Sequence, residues 1–130
     1  MRTLVAAMLL TAAAAGCAAA DTSTLPRMVV EFSFAPTNTC QGISPEIRLL
    51  GVPDGVTTYD VRLTDLDVPG FHHWAQTLGA AGPVIRAGAG VGYFGPCPPS
   101  GTHRYQIEVT ARDARGRPLA YGDKTVDAGR

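Results

Sequence analysis

Gly95-Pro96-Cys97-Pro98-Pro99-Ser100-Gly101-Thr102-His103-Arg104-Tyr105 runs straight into Gln106-Ile107-Glu108-Val109-Thr110-Ala111, and this stretch decides the fold. Its first part is a Gly/Pro loop, stiff because proline fixes φ. Its second part alternates as a strand does, with successive side chains on opposite faces. His103, Tyr105, Ile107, Val109 and Ala111 share one face, and Arg104, Gln106, Glu108 and Thr110 share the other. The apolar, core-facing row therefore begins with an imidazole and a phenol, which is how a rigid loop fixes polar groups at the rim of a pocket.

Upstream, Thr58 to Asp67 has the same pattern from the opposite end. Tyr59, Val61, Leu63, Asp65 and Asp67 fall on one face and Thr58, Asp60, Arg62 and Thr64 on the other, so two carboxylates, ~7 Å apart along the strand, extend the apolar row. Two inward rows that each end in polar side chains predict a sandwich whose core opens into a polar pocket at one end. The remainder supports an all-β chain with few or no helices after its N-terminal segment. Met28 to Phe34 alternates Val30, Phe32 and Phe34 against Val29, Glu31 and Ser33, and Glu46 to Leu50 is a second short strand. Gly51 to Gly55 and Asp113 to Pro118 are turns. Leu119 to Val126 reads as a last edge strand, and Gly79 to Gly92 as a loop punctuated by Pro83-Val84-Ile85.

Taken with Asp65-Leu66-Asp67-Val68-Pro69, His72-His73-Trp74 and Cys40-Gln41-Gly42-Ile43-Ser44-Pro45, the opening stretch resembles the signature set of the phosphatidylethanolamine-binding protein family, in its bacterial Raf-kinase-inhibitor-like branch. The resemblance covers Phe32 to Ala111 and implies a Greek-key β-sandwich. It also implies that Asp65, Asp67, Pro69, His73, His103 and Tyr105 line a small anion-binding cavity. Such a site is chemically coherent. An aspartate accepting from one imidazole nitrogen fixes the tautomer and raises the ring's basicity, leaving the other nitrogen as a donor to a phosphate-like oxygen, and the Tyr105 hydroxyl adds a neutral donor. Adjacent His72 and His73 face opposite sides, so His73 enters the pocket and His72 is exposed. Trp74 reads as core or pocket wall, and Arg104 as pointing away from the pocket to brace the Gly95 to Gly101 loop through carbonyls or a carboxylate. The chain departs from the family pattern in three places: Leu78-Gly79-Ala80 stands where Asn-Ile/Leu-Pro is expected, only about twenty residues join Trp74 to Gly95, and the C-terminal helix of many relatives is missing before Arg130.

At 130 residues the chain holds one domain. Arg2, the apolar stretch Leu4 to Ala15 and the small residues up to Cys17 read as a secretory signal over 1–17, too short to span a bilayer. Ala14-Ala15-Gly16-Cys17 resembles a lipoprotein cleavage box with Cys17 as the lipidated first residue. Cleavage after Ala20 would instead give a soluble periplasmic or secreted protein. Residues 18–27 form a tether and 28–130 the sandwich. Cys40 and Cys97 then remain as an even pair in an exported chain, with one disulfide as the first reading and two buried free thiols as the second.

Lys+Arg and Asp+Glu each number 11, for a formal charge of zero, which gives no electrostatic footprint for nucleic acid. No nucleophile with an adjacent base is visible, so the expectation is a non-enzymatic binder of a small anion, a phosphate monoester or phospholipid head group, without cofactor or metal. Two alternatives remain: a structural or protein-interaction domain with a vestigial pocket, or a metal-dependent hydrolase using Asp65, Asp67, His73 and His103, for which no local metal motif is present.

Overall fold

The computed structural model describes residues 21–130. The signal segment, Cys17 and the first residues of the tether lie outside them. Seven strands follow one another: β1 (Val29–Glu31), β2 (Ile47–Leu50), β3 (Thr58–Asp65), β4 (Trp74–Gly79), β5 (Val84–Ile85), β6 (His103–Arg112) and β7 (Pro118–Ala128). A single 3-10 turn, Pro36–Asn38, is the helical content of the described residues. The strands make two antiparallel sheets, of order β1-β2-β5 and β4-β3-β6-β7. The chain is thus the all-β sandwich its alternation predicts. After β4 it crosses to the other sheet as β5, then returns as β6 beside β3, the inter-sheet crossing expected of a Greek-key arrangement rather than a meander.

The pairing of β3 with β6 is the spine. It runs from Thr58 opposite Arg112 to Asp65 opposite Tyr105 and sets Val61 against Val109 and Leu63 against Ile107. Direct cross-strand partners share a face, so these rows point together into the core. There they meet Val30, Ile47, Leu49 and Ile85 of the smaller sheet, with Met28, Phe32 and Trp74 closing the sides. Burying a large aliphatic side chain in this way is worth ~1.5 to 3 kcal/mol relative to exposure. The opposite face of the larger sheet carries the charged pairs Arg112 with Asp60 and Arg27 with Asp123.

The two sheets are joined along one side. Met28 N–H donates to Tyr121 O at 2.8 Å and Tyr121 N–H to Pro26 O at 3.0 Å, so the hydrogen-bonded domain begins at Pro26, inside the segment read as tether. Gly122 permits this approach, since a Cβ there would lie 2.5 Å from Met28 O.

Three elements differ from the sequence reading. β4 occupies Trp74–Gly79, for which no strand was expected, and β5 lies inside the segment read as loop. The third strand ends at Asp65 rather than Asp67, with consequences for the site.

Candidate functional site

Asp65 is the hinge of the site. It is buried, and its two carboxylate oxygens do different work. Oδ1 accepts the backbone N–H groups of Asp67 at 2.8 Å and Val68 at 3.1 Å, which turns the chain out of β3. Oδ2 accepts Nδ1–H of His103 at 2.7 Å. Burial works to raise the Asp65 pKa, but the hydrogen bonds from His103 and from the Asp67 and Val68 amides outweigh it and hold the carboxyl below the usual range. Turn-capping and imidazole orientation are thus served by one side chain.

The turn removes Asp67 from the row. Because the strand stops at Asp65, the strict alternation that would bring Asp67 inward is broken, and Asp67 is exposed. Its oxygens accept from Arg104, through Oδ2 from the backbone N–H at 2.7 Å and through Oδ1 from Nη2 at 2.9 Å. Arg104 does point away from the core, and the carboxylate it braces is Asp67. The Gly/Pro loop is held instead by Arg130, whose Nε and Nη2 donate to Pro98 O and Pro99 O.

His73 is buried at the start of β4, and its Nδ1 lies 2.8 Å from Phe94 O. A carbonyl only accepts, so Nδ1 carries the proton. Nε2 makes no hydrogen bond among the described residues, while no buried side-chain polar atom there lacks a partner; Nε2 therefore opens to solvent. His103, also with its proton on Nδ1, stands in the same condition. This refines the sequence reading, because an imidazole protonated at Nδ1 offers Nε2–H to an anion only once it becomes imidazolium.

Between the two rings lies Tyr105, 1% exposed. Its ring meets His73 edge-on at 5.4 Å and stacks on His103 at 6.3 Å. Burial, then the Asp65 charge, push its pKa up to about 12, which keeps the hydroxyl neutral. Phe71, half exposed, packs on His73 at 4.7 Å and on Phe94 at 5.5 Å, giving the rim an apolar lip. The structure thus brings Asp65, His73, His103 and Tyr105 together. Pro69 lines an open hollow of about 290 Å³ whose walls include His72 and His73 and not His103 or Tyr105. His72 is exposed and Trp74 is core, packed edge-on against Tyr93 at 5.8 Å.

The Gly/Pro loop is stapled to the segment after β1. Cys40 and Cys97 form a disulfide with Cα atoms 4.8 Å apart, Cys40 N–H donates to Pro96 O at 3.0 Å, and Gly95 N–H donates to Cys40 O at 2.7 Å. A Cβ on Gly95 would fall 1.8 Å from Asn38 O, so this approach requires glycine.

A model of the phosphatidylethanolamine-binding protein matches residues 16–128. The chain belongs to the phosphatidylethanolamine-binding protein family. The crystal structure of E. coli YbcL, described as a new member of the mammalian family, matches with a TM-score of 0.64 and 19% identity over 80% of this chain and 99% of that one. At that identity the likeness establishes the fold alone. No curated protein matches the chain. Family members are in the main non-catalytic binding proteins, and the family fold supports a ligand-binding or interaction domain.

Sequence reasoning missed Phe94 and Phe71. Phe94 acts through its backbone carbonyl, which no side-chain pattern reveals. Phe71 precedes the His72-His73 pair and could have been found from that adjacency. Among the described residues no three His, Cys, Asp or Glu side chains converge as metal ligands, and the oxygens of Asp65 and Asp67 are engaged as described.

Proposed function

We propose that this family member is a non-enzymatic binder of a small anion, a phosphate monoester or phospholipid head group, at the rim formed by His73, His103 and Tyr105. The observation that carries the reading is the state of the two imidazoles. Each has Nδ1–H fixed by an acceptor, Phe94 O or Asp65 Oδ2, and each has Nε2 left for a ligand. A proton taken up at Nε2 converts each ring into a cationic donor, and a charge-assisted hydrogen bond is about twice as strong as a neutral one. Asp65 stabilises the imidazolium of His103 and Tyr105 adds its hydroxyl. Asp67, turned out on Arg104, belongs to the frame of the site.

Calorimetric titration of the 21–130 domain with O-phosphoethanolamine at pH 6 tests this. Saturable binding that is lost in both His73→Ala and His103→Ala supports it. Equal heats for the parent and both variants would contradict it and leave a protein-interaction domain with a vestigial pocket.

We further propose that the chain is exported and anchored through a lipid on Cys17, on the strength of the N-terminal sequence. Mass spectrometry of the mature protein checks this: a lipidated Cys17 as first residue supports the anchor, and an unmodified chain beginning after Ala20 replaces it with simple secretion.

A further inference from the structure

We propose that the Cys40–Cys97 disulfide positions His73, so that its reduction releases the His73 tautomer and weakens anion binding while the sandwich stays folded. The ligand arm of this proposal rests on the anion-site reading above, and the tautomer arm does not.

His73 and Phe94 clasp each other at two points. Phe94 N–H donates to His73 O at 2.9 Å, and His73 Nδ1–H donates to Phe94 O at 2.8 Å. Phe94 belongs to no strand; it lies in the connection between β5 and β6. Its position comes from the residues that follow it: Gly95 N–H on Cys40 O, Cys40 N–H on Pro96 O, and the covalent bond at Cys97. Tyr93 adds one hydroxyl contact to Asn38 O at 2.7 Å. One covalent bond therefore sits among the contacts that place the proton on His73. Cys40 itself has φ of 49°, a left-handed backbone that a non-glycine residue keeps only where its surroundings impose it.

Asp65 and His103 are placed differently. Asp65 ends the β3–β6 ladder opposite Tyr105, and His103 opens β6 and pairs with Ala128 of β7, ladders in which neither cysteine takes part. The two imidazoles of one site thus differ in what positions them, and reduction acts on His73 and spares His103.

The chemistry balances with a dithiol. A thiolate of dithiothreitol attacks one sulfur, the Cys40–Cys97 bond breaks through a mixed disulfide, and ring closure of the reagent releases two cysteine thiols and one cyclic disulfide. Two electrons and two protons pass to the protein.

The test compares imidazole 15N shifts and inorganic phosphate affinity in the disulfide-bonded and dithiothreitol-reduced domain, repeated with the Cys40→Ala/Cys97→Ala pair, which needs no reagent. Expected are His73 shifts that leave the pure Nδ1–H pattern for a mixture of tautomers, His103 shifts that hold, and a phosphate Kd raised about tenfold as the competent arrangement becomes a minor one. Unchanged His73 shifts, equal changes in both rings, or loss of the β3–β6 amide dispersion on reduction would each overturn the proposal. If the bonded form binds no phosphate, the anion reading fails and the His73 shifts alone decide this inference.

Discussion

Asp65 accepts the His103 imidazole at 2.7 Å through one carboxylate oxygen and closes its own turn through the other. The relationship couples the end of a strand to the protonation chemistry of a ring 38 residues away in sequence. Replacing the acceptor therefore has two separable consequences.

Asp65→Asn keeps the shape and an oxygen for the turn but presents an amide N–H to His103. The ring then turns its lone pair to that donor at Nδ1 and carries its proton on Nε2, where it donates while neutral. Sulfate binding, measured across pH 5 to 8 because sulfate does not titrate there, should lose the proton that His103 contributes in the parent, so its pH dependence flattens. The lost hydrogen bonds to a buried charge should cost about 1.5 to 3 kcal/mol in urea unfolding.

Acid stability follows from the same carboxylate. The folded pKa of Asp65 lies below its ordinary value, so its contribution is complete above pH about 4 and is lost as pH falls through the folded value. Urea midpoints between pH 5 and pH 2 should fall more steeply for the parent than for Asp65→Asn. Parallel curves would mean that Asp65 is not held ionised by His103.

Asp67 and Arg104 form an exposed pair, and such pairs contribute little in water. Arg104→Ala should leave phosphate affinity within about twofold of the parent, as read by the same titration. A loss comparable to that of His103→Ala would return Asp67 to the ligand set.

How far these relationships could be read from sequence depends on what carries each one. β3 and β6 were legible because their inward rows are long, apolar and regular. The approach of Asp65 to His103 and Tyr105 follows once those rows are paired. β4 was not legible: beyond Trp74 its residues are Ala75, Gln76, Thr77, Leu78 and Gly79, an edge strand that buries little, and β5 is two residues long. Asp67 was misplaced because alternation was carried past the point where the Asp65 side chain caps the chain and ends the strand. The His73 tautomer was out of reach because a backbone carbonyl sets it.

Gly95→Ala tests the packing that holds the loop. Its Cβ would fall 1.8 Å from Asn38 O, a backbone atom, so the two segments must part. The expected loss is about 3 kcal/mol or more, at the upper end of overpacking costs, measured by urea unfolding. A loss below about 1 kcal/mol would show that the loop yields without cost.

The disulfide closes a separation of 57 residues, for which the chain-entropy model gives about 4 kcal/mol. The Cys40→Ala/Cys97→Ala pair should melt well below the parent, at about 4 to 8 °C per kcal/mol for a domain of this size. A Tm within a few degrees of the parent would contradict a role in stability.

The central claim is tested most directly by following the C2 protons of His73 and His103 by NMR during titration with phosphate and with O-phosphoethanolamine at several pH values. Saturable shifts in both rings, stronger at pH 5.5 than at pH 8 and abolished by His103→Ala, are the predicted result. Rings that do not respond to high millimolar ligand at any pH would contradict the anion site and turn attention to protein partners.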